Sequence, residues 1–236
     1  MTKEVDIKKR IEWYLYHSKI TSPGLSEVMS EIKEKFPETV IFGGFIRVLS
    51  FEGAKHFSSD IDLVTKNSFD EILNFAKKYN PSVNKFGGIR FSFKSFRFDI
   101  WSLRDTWAFK SGAVDCNNFK DLLKTTFFNK DAAFYHLGSR ELALSSGCRK
   151  ALKDGVFDIN LKKNPNPEGM ARKAIDYYGG DGVISRNLAI YIIENANVDS
   201  LSVLEGKILH RLRQDLEISD NDVFAIQPDL FETPNI

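Results

Sequence analysis

Asp60-Ile61-Asp62 places two carboxylates at alternate positions of an apolar run, SSDIDLVT. Residues two apart in a strand share a face, so both acids project together while Ile61 and Leu63 pack behind them. Neighbouring carboxylates repel, and burying them unpaired is costly. A hard divalent cation relieves both effects, and oxygen ligands with room for water and phosphate suit Mg2+, or Mn2+ in its place. Two such ions about 4 Å apart activate an attacking hydroxyl and steady a leaving pyrophosphate. That arrangement calls for a third carboxylate. FRFDIWSL offers Asp99, which alternates with Phe98 and Ile100, with Asp105 and Asp115 in reserve. Taken singly, an Asp-x-Asp is also a common turn or cap, and a strand Asp is a common arginine partner; Arg97 shares the Asp99 face.

The order of the parts gives these acids their weight. ETVIFGG reads as a strand ending on Gly43-Gly44, Arg47 follows on an expected helix, and the acids open the next strand after a loop. Glycine lets backbone N–H groups approach a phosphate, and a helix N-terminus favours an anion. Arg47 adds a charge-assisted contact to such a group.

The elements that must position these residues follow from periodicity. Ile7, Ile11 and Leu15, then Leu25, Val28, Met29 and Ile32, recur at helical spacing, with a break at Ser22-Pro23-Gly24. SFDEILNFAKKYN is an expected helix with Ser68 as N-cap and Glu71 completing a capping box. Ile89, Phe91 and Phe93 alternate with Arg90, Ser92 and Lys94, and a turn near Lys94-Ser95 makes the stretch to Leu103 a hairpin. Arg104 to Cys116 reads as a loop, and NFKDLLKTTFFNKDAAFYHL fits helix or strand. From Asn166 the pattern is helical, and SDNDVFAIQPDLFETPNI reads as a polar tail. This order suggests a part with both strands and helices over residues 1–145 and a helical region over 146–236, as two domains or as one continuous body with a helical C-terminal layer.

Composition sets the outer bounds. The chain has 236 residues, 42% of them hydrophobic, with 20 Phe, enough for a substantial core. A formal net charge of +1 gives no global attraction for nucleic acid, though a local basic patch is compatible with it. Cys116 and Cys148 form no metal-type pair, and the simplest compartment for them is a reducing one. The charged N-terminus has no signal-peptide core, and no apolar run approaches a span of about 20 residues. A cytoplasmic protein with no membrane partner is expected. His17, His56, His136 and His210 show no ligand spacing. Phe134, Tyr177, Tyr178, Trp101 and Trp107 read by default as packing residues.

GGFIRVL…SSDIDLV resembles the head of the poly(A) polymerase and tRNA CCA-adding enzymes, within the DNA polymerase β-like nucleotidyltransferases. The signature there is Gly-Gly-x-x-Arg-Asp followed by Asp-x-Asp. The resemblance is specific over about residues 40–66 and weaker to Tyr178, through FFNKDAAFY and DGVFDINLKKNPNPEGMARKAIDYY. It implies an α+β fold, a nucleotidyltransferase-type mixed sheet flanked by helices and followed by a helical C-terminal part, and Mg2+-dependent transfer of NMP from an NTP to a hydroxyl. It implies that Gly43, Gly44 and Arg47 hold the triphosphate and that Asp60, Asp62 and Asp99 bind metal and are catalytic. Lys124, Lys130 and Arg172 are further nucleotide-binding candidates, with Arg140, Arg149 and Lys150 behind them. Val48 stands where the family has Asp, KTTF where it has Arg-Arg-Asp, and the Arg-x-x-Arg and base-reading Glu-Asp-x-x-Arg patterns are incomplete. The expected acceptor is a nucleotide, a small molecule or a protein, in a defence or toxin-like role. The alternatives are an RNA 3′ end and an inactive nucleotide-binding module.

Overall fold

A computed structural model describes residues 3–17, 24–53, 57, 59–180 and 182–225. Ser22-Pro23, His56 and everything from residue 226 lie outside them. The chain divides into two compact units. One comprises residues 1–126 and 130–149, the other 127–129 and 150–236. The division falls within helix α6 (Ser146–Asp154), four residues beyond the boundary expected from sequence.

The first unit is built on a seven-stranded mixed sheet. In chain order it holds α1 (Lys3–Tyr16), α2 (Leu25–Lys35), β1 (Thr39–Phe42), α3 (Gly44–Arg47), β2 (Ile61–Thr65) and α4 (Phe69–Ala76). Then come β3 (Ser82–Val83), β4 (Ile89–Phe93), β5 (Phe96–Ser102), α5 (Trp107–Lys110), β6 (Ala133–His136) and β7 (Leu142–Leu144). The spatial order is β3-β4-β5-β2-β1-β6-β7. Only β2 and β5 pair parallel in this sheet; the other neighbours are antiparallel. Parallel pairing needs a crossover, and α4 with the β3–β4 ribbon supplies it.

One face of the sheet carries Ile41, Ile61, Leu63, Phe91, Phe98, Ile100 and Tyr135, all 2% exposed or less. Phe91 stacks on Tyr79 and Phe98 and meets Phe75 edge-on, while the Tyr135 hydroxyl donates to Glu12 of α1, so helices cover this face. The other face carries Val40, Val64 and Phe134. These pack against Phe119 and Leu122 of a 3-10 helix, Phe119–Lys124. α4 starts on the expected box: Ser68 accepts from the Glu71 amide, and the Glu71 carboxylate accepts from the Ser68 amide.

The second unit joins α7 (Pro167–Gly179), α8 (Arg186–Asn195) and α9 (Val203–Ile218) to a small sheet. Its strands β8 (Val156–Phe157), β9 (Val183–Ser185) and β10 (Val223–Ala225) run in the order β10-β9-β8. Phe127, Phe128, Tyr178, Ile184, Leu188, Ile192, Leu209 and Leu212 form its core.

Three expectations change. The segment that fits helix or strand is both, a 3-10 turn and then β6. The stretch from Arg104 contains α5. The polar tail begins with a strand, because Phe224 is buried to 5% exposure and anchors β10 against β9. Among the described residues no helix is long and apolar enough to cross a membrane.

Candidate active site

The acids emerge from the centre of the seven-stranded sheet. Asp60 immediately precedes β2, Asp62 lies within it, and Asp62 stands in register with Asp99 on the parallel neighbour β5. Directly paired strand residues share a face, so Asp62 and Asp99 project side by side. The same ladder row continues to Arg90 on β4 and to Phe42 on β1. Phe42 is the residue before Gly43, so the backbone places the glycine pair beside the acids. A β-carbon on Gly44 would lie 4.0 Å from Ser59 Oγ, next to Asp60, and 3.9 Å from Arg47 Nη2.

Gly43 has φ 69° and ψ −122°, a conformation that a side chain disfavours. Its N–H extends the β1–β6 ladder by donating to the Ala133 carbonyl at 3.1 Å. Among the described residues no heavy atom lies within 4 Å of where its β-carbon would sit. Arg47 is held at both ends of its fork: Nε donates to Asp131 at 2.9 Å and Nη1 to Glu52 at 2.6 Å. Glu52 comes within reach because α3 runs on into a single wide π turn, Val48–Glu52.

Two arginines occupy the acids. Arg90 donates from Nε and Nη2 to the two Asp99 oxygens at 2.8 and 2.6 Å, and from Nη2 to Asp60 at 3.1 Å. The hydrogen bonds and charge of Asp99 raise the Arg90 pKa above its ordinary value, and Asp60 and Asp62 add to that field. The Asp99 side chain is 5% exposed, that of Arg90 45%. Arg97 approaches Asp60 Oδ1 at 2.6 Å, yet that buried oxygen accepts no hydrogen bond of proper geometry. We therefore count this contact as an ion pair only.

Lys130 lies beside the Arg47 clamp, 3% exposed, with its ammonium 4.9 Å from the Phe51 ring. Burial, reinforced by the Arg47 charge, lowers its pKa to about 8. Lys124 pairs with Asp121 at 2.8 Å and is otherwise exposed. Arg172 belongs to the second unit, where it grips Glu205 at 2.7 and 3.2 Å. Arg149 holds Glu4 and the Leu144 carbonyl. Phe134 and Tyr178 are core residues, and Tyr177 stacks on Phe157. A cavity of about 440 Å3 within the second unit is lined by Lys150, Asp158 and Arg186 and contains none of the three acids.

The structure thus gathers Gly43, Gly44, Arg47, Asp60, Asp62 and Asp99, and leaves Lys124 and Arg172 in local ion pairs. Arg90 carries no role in the expectations from sequence. A two-residue turn at Lys94-Ser95 sets Phe93 opposite Phe96 and, counting back, Arg90 opposite Asp99. Arg97 shares the Asp99 face, as its spacing implies, and its partner is Asp60. Carboxylate oxygens are the donors a hard divalent ion prefers, and the paired register of Asp62 and Asp99, with the buried Asp60 oxygen that accepts no hydrogen bond, fits such a group. Among the described residues, however, no three acidic, histidine or cysteine side chains are arranged to hold an ion as they stand, the Asp60 and Asp99 carboxylates being turned to arginine.

No protein-family model matches the sequence, and no curated protein matches it. Solved structures do share the fold. A tRNA-processing enzyme in an apo form aligns with a TM-score of 0.57 at 16% identity, over 82% of this chain and 57% of the other. The Thermotoga maritima CCA-adding enzyme complexed with tRNA gives 0.55 at 18%, over 85% and 48%. A tRNA nucleotidyltransferase complexed with a primer tRNA and an incoming ATP analogue gives 0.55 at 16%, over 79% and 60%. The fold is that of the CCA-adding and tRNA nucleotidyltransferase structures, and the chain spans about half the length of those proteins.

Proposed function

We propose that this chain is a nucleotidyltransferase that moves NMP from an NTP to an acceptor hydroxyl and releases pyrophosphate. The observation that carries the reading is the single ladder row in which Asp62 and Asp99 stand side by side and lead to the Gly43 backbone. In this reading the open backbone at Gly43-Gly44 receives the triphosphate and the clamped Arg47 contributes a fixed positive charge to it. Asp60, Asp62 and Asp99 hold Mg2+, which when bound polarises phosphate oxygens and stabilises the leaving pyrophosphate. Asp99 orients the acceptor hydroxyl and takes its proton. The chain's own contribution is then placement and charge compensation.

The acceptor favoured by the comparisons is an RNA 3′ hydroxyl, because similar folds are complexed with tRNA and with CTP or ATP. The near-neutral charge instead suits a nucleotide, small molecule or protein acceptor. One assay separates them: each α-labelled NTP with Mg2+, with and without total RNA, followed by resolution of RNA, protein and soluble products. Label in RNA supports the first acceptor and label elsewhere the second, while NTP binding without pyrophosphate release marks an inactive binding module. Asp62→Asn should lower transfer at least about a hundredfold with an unchanged circular dichroism spectrum; full activity in that variant would remove the reading.

A further inference from the structure

Arg90 engages the acids that the proposed function assigns to a divalent ion. Its Nε and Nη2 take both oxygens of Asp99, and Nη2 also takes one oxygen of Asp60. Asp62 adds to the negative field on the same guanidinium. A guanidinium stays charged at any working pH and binds a carboxylate through two parallel bonds. Divalent ion and guanidinium therefore compete for the same lone pairs.

The geometry shows which partner can leave. Asp99 is fixed on β5, its side chain 5% exposed, with β2 on one flank and β4 on the other. The Arg90 side chain is 45% exposed. Rotation of that side chain toward water frees both Asp99 oxygens and one Asp60 oxygen without moving a strand. Arg97, whose side chain is 60% exposed, can leave Asp60 in the same way.

We propose that Arg90 is a resident counter-cation: a divalent ion enters this site by exchanging with its guanidinium on Asp99 and Asp60. The proposal rests on the reading of Asp60, Asp62 and Asp99 as the ion's ligands. In the absence of metal the guanidinium offsets part of the negative charge of the three carboxylates and so eases their mutual repulsion at the sheet centre. The cost of breaking these bonds weakens the site's affinity for the ion.

The test is a titration of the full chain with Mn2+ alone, following free Mn2+ by electron paramagnetic resonance. Arg90→Met should bind Mn2+ at least about tenfold more tightly than the wild type, the value of one lost charge-assisted bond. Arg90→Lys, which keeps the charge and loses the fork, should fall between them. Asp62→Asn should weaken binding. Thermal unfolding gives a second readout: Arg90→Met should melt lower than the wild type in chelator and gain more from Mn2+ than the wild type does. If Arg90→Met does not fold, the Arg90→Lys titration decides. Wild-type Mn2+ affinity in the Arg90 variants, with binding weakened in Asp62→Asn, overturns the exchange and leaves the metal reading standing. Unchanged Mn2+ binding in Asp62→Asn, or no saturable binding in the wild type and the Arg90 variants, overturns both.

Discussion

Gly43→Ala separates backbone strain from ligand approach, two roles that glycine combines. At φ 69° and ψ −122° an L side chain is strained, and such conformations cost about 1–3 kcal/mol. The new methyl group meets no described heavy atom within 4 Å, so no packing clash adds to that figure. For a chain of this size the thermal midpoint should fall by about 2–10 °C. If the Gly43 backbone receives a phosphate, the methyl stands in its path. The Gly43 N–H is engaged with Ala133, so the contact at risk is the N–H of Gly44 in the first turn of α3; its loss as a charge-assisted bond, worth about 1.5–3 kcal/mol, raises Kd roughly ten- to a hundredfold. Gly112→Ala is the control, because Gly112 has φ 66° and equally open surroundings. Calorimetric titration with a non-hydrolysable ATP or CTP analogue and Mg2+, alongside thermal melts, reads both quantities. Gly112→Ala should lose stability and keep its affinity; Gly43→Ala should lose both. A Gly43→Ala protein that is destabilised yet binds the analogue as tightly as the wild type would refute the cradle.

Two further substitutions test electrostatics built into the first unit. Burial lowers the Lys130 pKa to about 8, so its charge is unfavourable in the folded chain below that pH, and stability rises as pH climbs from there toward the unfolded value of 10.5. Lys130→Met should therefore raise the urea midpoint at pH 6.5 and lose most of that gain by pH 10; a gain that does not change with pH would contradict the buried charge. Asp121 accepts from Lys124 and from the Asn117 and Asn118 amides, which hold its carboxyl below the usual range, Lys124 most strongly. Asp121→Ala should cost about 1 kcal/mol near neutral pH. That difference should persist above about pH 4 and shrink as pH falls through the depressed value, as read from denaturation at pH 7 and pH 2.5.

Local signals made much of the fold legible. Alternation at Ile89, Phe91 and Phe93 revealed the hairpin, and the Ser68–Glu71 spacing fixed the start of α4. The two-residue offset of Asp60 and Asp62 put them on one face without any knowledge of the sheet. The pairing of Asp62 with Asp99 was not readable in the same way, because α4, β3 and β4 intervene and nothing local sets the register of a parallel pair. Arg90 was within reach of sequence logic, since turn position dictates the hairpin register. The attachments of Lys124 and Arg172 were not equally accessible. Asp121 lies one turn from Lys124, but Glu205 is 33 residues from Arg172 and meets it only through helix packing. The small second sheet escaped because its strands have two or three residues, too few for period-two alternation to stand out.

β2 is the middle strand of seven, with three neighbours on each side. Sheets fray from their margins, so β3 and β7 should exchange amide hydrogens through small local openings, while Asp62 and Leu63 exchange only when the whole unit comes apart. The acid row is therefore shielded from damage at the rim. A lesion in a marginal strand would reduce how many molecules are folded and leave each survivor working at its full rate.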